Sequence, residues 1–172
     1  MQKRCERSYF RMSMTSANPA HWIIVGSPDN YAATRTQGFT IQGMKSRHRK
    51  KAEAMRPGDR IIWYITGAKA FAGYATITST YFEDHTPIWK SRDPKKDTED
   101  YPFRVHISPD ITLDVDAFVE AEPIARQMTY VSKWPAANWT LAFQGNVHKI
   151  NDHDFALIES ALKDAALSIA AD

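Results

Sequence analysis

One stretch of the chain combines glycines, an aromatic residue and clustered cations. Phe39 lies between Gly38 and Gly43, and five Lys or Arg side chains follow within positions 45–51. Glycine lets the backbone approach a flat ligand closely, an aromatic ring offers a stacking surface, and clustered cations neutralise phosphates. The pattern predicts a nucleobase pocket beside a phosphate track. The alternative is a solvated helix face, which is what a Lys- and Arg-rich run usually forms.

Further polar residues are candidates for contacts to the edge of a base. Ser27 and Asn30 follow the first predicted strand, and Thr40 follows Phe39 directly. Ser27 also fits the N-cap of a helix, so two roles compete for it. For phosphates we expect a set of four cations: Lys45, Arg47, Arg49 and Lys50. Positions four apart share a helix face, so these cations cannot all face one strand.

Composition indicates a single globular domain that does not span a membrane. The 172 residues include no apolar run long enough for a membrane span. Cys5 is the only cysteine, which excludes an internal disulfide and favours a reducing, cytoplasmic setting. Residues 45–60 carry seven basic and two acidic side chains, whereas residues 110–172 carry four basic and ten acidic ones. This asymmetry would orient the protein on a polyanion.

The order of predicted elements indicates an α+β fold. Residues 1–19 lack hydrophobic periodicity, so we expect a disordered N-terminal tail. Strands are predicted at 21–26, 60–66, 71–81, 103–107 and 147–150, and helices at 29–36, 46–55 and from 151 onward. The polar segment 82–102 is too long for a tight turn, and loops of this length are often functional. The pattern predicts a small, mainly antiparallel β-barrel with flanking helices.

Signatures of catalysis and metal binding are weak in this sequence. It contains no HExxH, CxxC, G-x-S-x-G, P-loop or dinucleotide motif. His106 alternates with apolar neighbours, as an ordinary strand histidine does. We therefore expect no catalytic residue, no metal and no cofactor.

Several motifs, taken in order, resemble the EVE domain, a family of the PUA-like superfamily. They are Trp22-Ile23-Ile24, Gly38-Phe39, the basic run, Arg56-Pro57-Gly58-Asp59, Tyr101-Pro102-Phe103-Arg104-Val105 and Trp139-Thr140-Leu141-Ala142-Phe143-Gln144-Gly145. The resemblance assigns residues 20–170 to one such domain. It implies a PUA-like pseudobarrel that binds a modified base in DNA or RNA, such as 5-methylcytosine, 5-hydroxymethylcytosine or N6-methyladenine.

The resemblance also implies roles for individual side chains. Phe39 and Trp89 match positions of the aromatic cage in the related YTH readers, and Gln144 is the ligand candidate of the C-terminal motif. Relatives in the superfamily include base-modifying hydrolases, so a hydrolase on the same fold is the alternative function. It would need Lys45 to converge with Glu83 or Asp84. The expected partner is nucleic acid carrying a modified base, with no membrane involved.

Overall fold

The computed structural model describes residues 18–172, so the predicted tail at 1–19 lies almost wholly outside the described residues. The strands are β1 (His21–Gly26), β2 (Ile41–Met44), β3 (Arg60–Ile65), β4 (Ala70–Ile77), β5 (Phe82–Glu83), β6 (Phe103–Thr112), β7 (Val119–Glu120) and β8 (Val147–Ile150). The α-helices are α1 (Pro28–Thr36), α2 (Arg49–Ala54), α3 (Glu122–Ala125) and α4 (Asp152–Ala170). Short 3₁₀ segments include Ser46–His48, Val131–Lys133 and Ala136–Phe143.

The strands form one curled, mainly antiparallel sheet. Its order is β2-β6-β4-β3-β1-β8, with β5 added beside β6 and β7 beside β4. Among these pairs only β1 and β3 run parallel. Asn146, just before β8, links the two ends of the sheet, because its side-chain oxygen accepts a hydrogen bond from the backbone of Lys45 after β2 at 3.0 Å. The α+β fold, a small β-barrel with flanking helices, is therefore confirmed.

Both faces of β1 are buried, which explains its uninterrupted apolar sequence. Ile23 packs into a core layer shared with α4, whose Phe155 and Leu162 contribute to the same layer. Ile24 points the other way, into the barrel interior with Trp63 of β3. A strand covered on both sides does not alternate polar and apolar residues. The barrel interior and the helix-covered face thus form two cores separated by one sheet.

The Arg56-Pro57-Gly58-Asp59 turn has a structural role. Asp59 is buried, and its carboxylate accepts hydrogen bonds from the backbone N–H groups of Ala20 and Arg56 and from the indole of Trp22. A buried carboxylate is tolerated when donors surround it. The motif therefore joins the start of β1 to the start of β3.

The predicted elements agree with the structure in most places. The helix predicted at 46–55 begins as a 3₁₀ turn and becomes α-helical only at Arg49. The strand predicted at 71–81 ends at Ile77, and the strand predicted at 103–107 continues to Thr112. Strand β2 was not predicted, because four residues beside a glycine-flanked aromatic give little periodicity. No helix in residues 18–172 is long and apolar enough to cross a membrane.

Candidate binding site

An open cleft of about 320 Å³ lies at one end of the barrel. Its walls come from five parts of the chain: the end of β1 with the start of α1, residues 45–47, Thr66 just after β3, residues 90–101 and residues 143–146. The cleft is within the size range of pockets that bind small ligands. Among the residues that line it there is no Asp or Glu in the described part of the chain.

A small inner cavity continues from the floor of this cleft into the barrel. It is lined by four aromatic side chains, which are Tyr31, Trp63, Trp89 and Tyr101, and by Thr34 and Gln42. Its volume of about 20 Å³ is room for about one water molecule. The rings therefore pack against one another here, and any flat ligand of base size must occupy the outer cleft.

Trp89 lines the inner cavity and is not among the residues that line the outer cleft. It is 2% exposed, and its indole N–H donates to the Thr34 hydroxyl at 2.9 Å. Gly43 of β2 lies against the edge of the ring, where a Cβ would be only 2.5 Å away. A side chain at position 43 would thus displace Trp89, which explains the glycine at the centre of β2.

Arg104 holds the long segment that carries Trp89. Its side chain is fully buried, and it donates to the backbone carbonyls of Thr86, Asp100 and Tyr101. Burial lowers the pKa of the guanidinium, while the nearby carboxylate of Asp84, at 3.3 Å, opposes that shift. A guanidinium with several fixed donors can bind several carbonyls at once, which a lysine cannot do in the same geometry. Arg104 therefore fixes both ends of the 84–101 segment.

Asn30 lines the cleft, but its amide group is already used by the protein. Its oxygen accepts from the backbone N–H of Lys90 at 3.0 Å. Its nitrogen donates to the carbonyl of Lys90 at 2.9 Å and to the hydroxyl of Tyr101 at 3.3 Å. These contacts tie the 84–101 segment to α1. Asn30 is placed to shape the cleft rather than to present a free edge to a ligand.

Ser27 and Gln144 both line the cleft. The Ser27 oxygen accepts from the backbone N–H of Asn30 at 3.1 Å and so caps α1, while its hydroxyl proton remains available. Gln144 is exposed, and within residues 18–172 its side-chain amide has no protein partner. Both side chains can therefore offer hydrogen bonds to a ligand in the cleft.

Phe39 and Thr40 do not line the cleft. Gly38 and Phe39 both have positive φ, 68° and 53°, and they end α1 by turning the chain back under the helix. This turn drives the ring of Phe39 into the barrel core, 5.5 Å from Tyr31 and 5.4 Å from Trp63. Thr40 is exposed and its hydroxyl donates to the carbonyl of Gln37. The glycine-aromatic pair is here a helix stop with a core anchor.

The four cations that the sequence analysis grouped together are divided by the structure. Lys45 and Arg47 line the cleft. Arg49 instead pairs with Glu53 at 2.8 Å, and Lys50 is exposed on α2 away from the cleft. Lys45 and Arg47 lie before and within the 3₁₀ turn at 46–48, whereas Arg49 and Lys50 lie on α2.

Two further cations line the cleft. They are Lys90 and Arg92 of the 84–101 segment, which line the same cleft as Lys45 and Arg47. None of the four has a carboxylate within ion-pair distance in the described chain, although Arg35, Arg49, Arg126 and Lys163 elsewhere are paired. Burial lowers the pKa of Lys45, and Arg47 and Lys96 add repulsion in the same direction.

The sequence did not predict four of the lining residues: Lys90, Arg92, Tyr101 and Asn146. Tyr101 belongs to the motif at 101–105, and the basic residues of the 82–102 segment are evident in the sequence. No local pattern places them beside Lys45. No group of three or more potential metal ligands is present in the part of the chain that the structure describes.

The curled barrel, the helices outside it and the cleft at its end define a PUA-like fold. Residues 20–161 match the EVE domain. The chain therefore belongs to the EVE domain family. A sequence search of curated proteins found no significant match.

Solved structures share the fold at low sequence identity. The YTH domain-containing protein mmi1, solved as an RNA complex, has a TM-score of 0.64 at 12% identity, covering 92% of this chain and 90% of that one. Human THYN1 protein, solved in complex with 5-methylcytosine containing DNA, has a TM-score of 0.52 at 14% identity, covering 82% and 96%. A hypothetical protein from Leishmania major has a TM-score of 0.56 at 13% identity, covering 86% and 96%.

Proposed function

We propose that this protein binds nucleic acid and takes one modified base into the cleft, and that it catalyses no reaction on that base. The observation that carries the proposal is the charge of the cleft: it is lined by Lys45, Arg47, Lys90 and Arg92, with no carboxylate among the lining residues. Four cations without a carboxylate partner around a partly apolar cleft suit a ligand that combines anionic phosphates with a planar ring. The base would enter after extrusion from DNA or from an unpaired position in RNA.

Within this cleft each side chain has a distinct task. Tyr101 and Phe143 are the aromatic residues that line the cleft, and the ring of Tyr101 lies 6.3 Å from that of Trp89 in the inner cavity. Ser27 and Gln144 offer hydrogen bonds to the edge of the base. Asn30 fixes the position of the 84–101 segment. The known ligands of fold relatives, RNA for mmi1 and methylcytosine DNA for THYN1, support the same class of partner.

Recognition of a methyl group requires more than its burial. One stacked base contributes about 1–3 kcal/mol, whereas burial of one methyl group contributes about 0.8 kcal/mol. Burial alone therefore discriminates only several-fold. Stronger selectivity would come from the hydrogen bonds of Ser27 and Gln144, which reject a base whose edge leaves them unpaired.

The hydrolase alternative has less support from the geometry. Asp84 is paired with Arg104, and Glu83 is hydrogen-bonded to His85. Neither carboxylate is among the residues that line the cleft with Lys45. A general base beside Lys45 is thus not formed by these residues. Incubation of the purified protein with modified nucleosides, followed by chromatography, distinguishes the two functions, since a hydrolase would release a new product.

The test of binding compares cations inside and outside the cleft. Lys45→Ala combined with Arg47→Ala should weaken binding of a short oligonucleotide carrying a modified base by at least tenfold at low salt. Lys50→Ala is the matched control, because Lys50 belongs to the same basic run but lies outside the cleft. Equal losses in the double variant and in the control would refute the assignment of the cleft.

A further inference from the structure

A second aromatic pocket is formed by residues 125–139, just before residues 143–146, which line the cleft. It has a volume of about 180 Å³ and is lined by Trp134, Trp139, Val131, Ser132, Ala136 and Arg126. Trp139 is buried, whereas Trp134 is half-buried and offers part of its ring to the pocket. We refer to these residues as the Trp134 pocket. Its size and its two indoles suit a single flat ring.

The Trp134 pocket is connected to the cleft by a short series of contacts. Gly145 lines the cleft, and its carbonyl lies 3.1 Å from Nε2 of His148. His148 contacts Tyr130, with ring centroids 5.7 Å apart, and Tyr130 contacts Trp134 at 5.8 Å. Each step is the length of one side-chain contact. The two pockets are therefore close enough to be reached by neighbouring parts of one extended strand.

A strip of cations follows the same route. Arg47 lies over Gly145. A Cβ atom added to this glycine would be 3.6 Å from the guanidinium of Arg47. Lys51 donates to the carbonyl of Val147 at 2.6 Å, and the ammonium of Lys133 lies 5.4 Å from the ring centroid of Tyr130. These three cations have no carboxylate partner among residues 18–172. Cations without a carboxylate partner, which contact the same residues that join the two aromatic pockets, suit a strand whose phosphates connect two stacked bases.

We propose that the Trp134 pocket stacks a second base of the same single strand whose modified base occupies the cleft, with Arg47, Lys51 and Lys133 along the connecting phosphates. The inference depends on the proposed function, because the first base fixes the strand. Sequence tolerance follows from the chemistry, since the second contact uses stacking, which every base can provide. The domain would thus recognise one modified base and bind a second base of the same strand whatever its identity.

The experiment measures affinity as a function of ligand length. The ligands are a modified nucleoside monophosphate and single strands of increasing length that carry the same modified base at the 5′ or the 3′ end. Wild-type protein should gain about tenfold in affinity when the strand is extended in one of the two directions, which is the effect of one stacked base. A strand extended with abasic units, which keeps the phosphates but lacks bases, should show a smaller gain.

Variants of the Trp134 pocket assign the gain to this site. Trp134→Ala should remove the gain from extension and leave the affinity for the monophosphate unchanged, whereas Trp134→Phe should keep most of the gain. Ala136→Leu is a second variant at an exposed position, and it should fill the pocket and remove the gain without loss of a ring. Thermal unfolding of each variant shows that the fold is intact.

Three results would overturn the inference. If extension of the strand in either direction gives no gain in affinity although the monophosphate binds, the inference is overturned and the proposed function stands. A gain that persists in Trp134→Ala and Ala136→Leu would place the second contact elsewhere, as expected if the pocket instead receives a side chain of a protein partner. Failure of wild-type protein to bind any of the ligands would overturn both proposals.

Discussion

The side-chain oxygen of Asn146 accepts a hydrogen bond from the backbone N–H of Lys45 at 3.0 Å, and its nitrogen donates to the carbonyl of Val25 at 3.0 Å. One amide thus joins the two ends of the curled sheet directly under the cleft. The backbone carbonyl of Asn146 also accepts from the N–H of Val25. Asn146 therefore helps to set the position of Lys45 and Arg47 relative to Gln144, together with the hydrogen bond from Lys51 to the carbonyl of Val147.

Removal of this amide should destabilise the protein measurably. Asn146→Ala leaves the N–H of Lys45 and the carbonyl of Val25 without their partner, and unsatisfied buried groups are costly. We expect a loss of about 2–4 kcal/mol in the free energy of unfolding, measured by urea denaturation. Gln144→Ala, at the exposed neighbouring cleft residue, is the control and should change stability by less than about 0.5 kcal/mol. Similar losses in both variants would contradict this role of Asn146.

Loss of the Arg104 guanidinium should release the 84–101 segment. Arg104→Lys keeps the charge but cannot reach three carbonyls at once, so we expect a cost of about 2–4 kcal/mol and faster tryptic cleavage at Lys90, Arg92 and Lys95. Limited proteolysis under native conditions measures this. Arg35→Lys is a matched control, because Arg35 forms an exposed ion pair with Asp114. Unchanged cleavage in Arg104→Lys would show that other contacts hold the segment.

The histidines beside the cleft should make stability depend on pH. Burial, together with Lys51 and Arg47, lowers the pKa of His48 to about 4, and burial likewise lowers the pKa of His148. The unfolded chain, with a histidine pKa near 6.5, therefore binds more protons than the folded one between pH 6.5 and 4. The contribution of these histidines to the free energy of unfolding is therefore fully present above pH 6.5 and is lost as the pH falls toward 4.

The contribution of His48 can be isolated by substitution. Its Nε2 accepts from Nε of Arg47 at 3.2 Å, which requires the neutral ring. Because the side chain is partly exposed, we expect it to account for only about 1 kcal/mol between pH 7 and pH 4. His48→Gln should reduce the pH dependence of the unfolding free energy by that amount. An identical pH profile for the variant and the wild type would be inconsistent with a neutral His48.

The salt dependence of oligonucleotide binding should identify the phosphate contacts. If all four cleft cations contact phosphates of a single strand, the slope of log K against log salt should be about −3. Lys90→Ala should reduce its magnitude by about 0.7, whereas Lys50→Ala should leave it unchanged. Titrations at four salt concentrations measure both slopes. A reduced slope in Lys50→Ala together with an unchanged slope in Lys90→Ala would instead assign the phosphate contacts to the outer face of α2.

Much of the fold follows from local sequence. β1 is apolar throughout because both of its faces are covered, and Ser27 with Pro28 marks the start of α1 at the observed position. The inner face of α4 is visible from the spacing of Phe155, Ile158 and Leu162. These features depend on periodicity and capping, which are properties of neighbouring residues.

The site was less accessible to sequence reasoning, because it is assembled from distant parts of the chain. Gly38-Phe39 has the composition of a ligand loop, but the positive φ angles of both residues make it a helix stop with a core ring. Conversely, Lys90 lines the same cleft as Lys45 because Asn30 and Arg104 fix the 84–101 segment. Such long-range contacts leave no periodic signal. The length of the 82–102 loop and the family resemblance at Trp89 and Tyr101 pointed to this segment, but not to its cations.

The most direct test of the account is an equilibrium titration with matched single-stranded oligonucleotides that differ at one base. The set contains cytosine, 5-methylcytosine, 5-hydroxymethylcytosine, adenine and N6-methyladenine, measured at low salt by fluorescence anisotropy. The account predicts that one modified base binds at least several-fold more tightly than its unmodified counterpart, and that Gln144→Ala reduces this preference. Equal affinity for all five strands, or no binding to any of them, would contradict it.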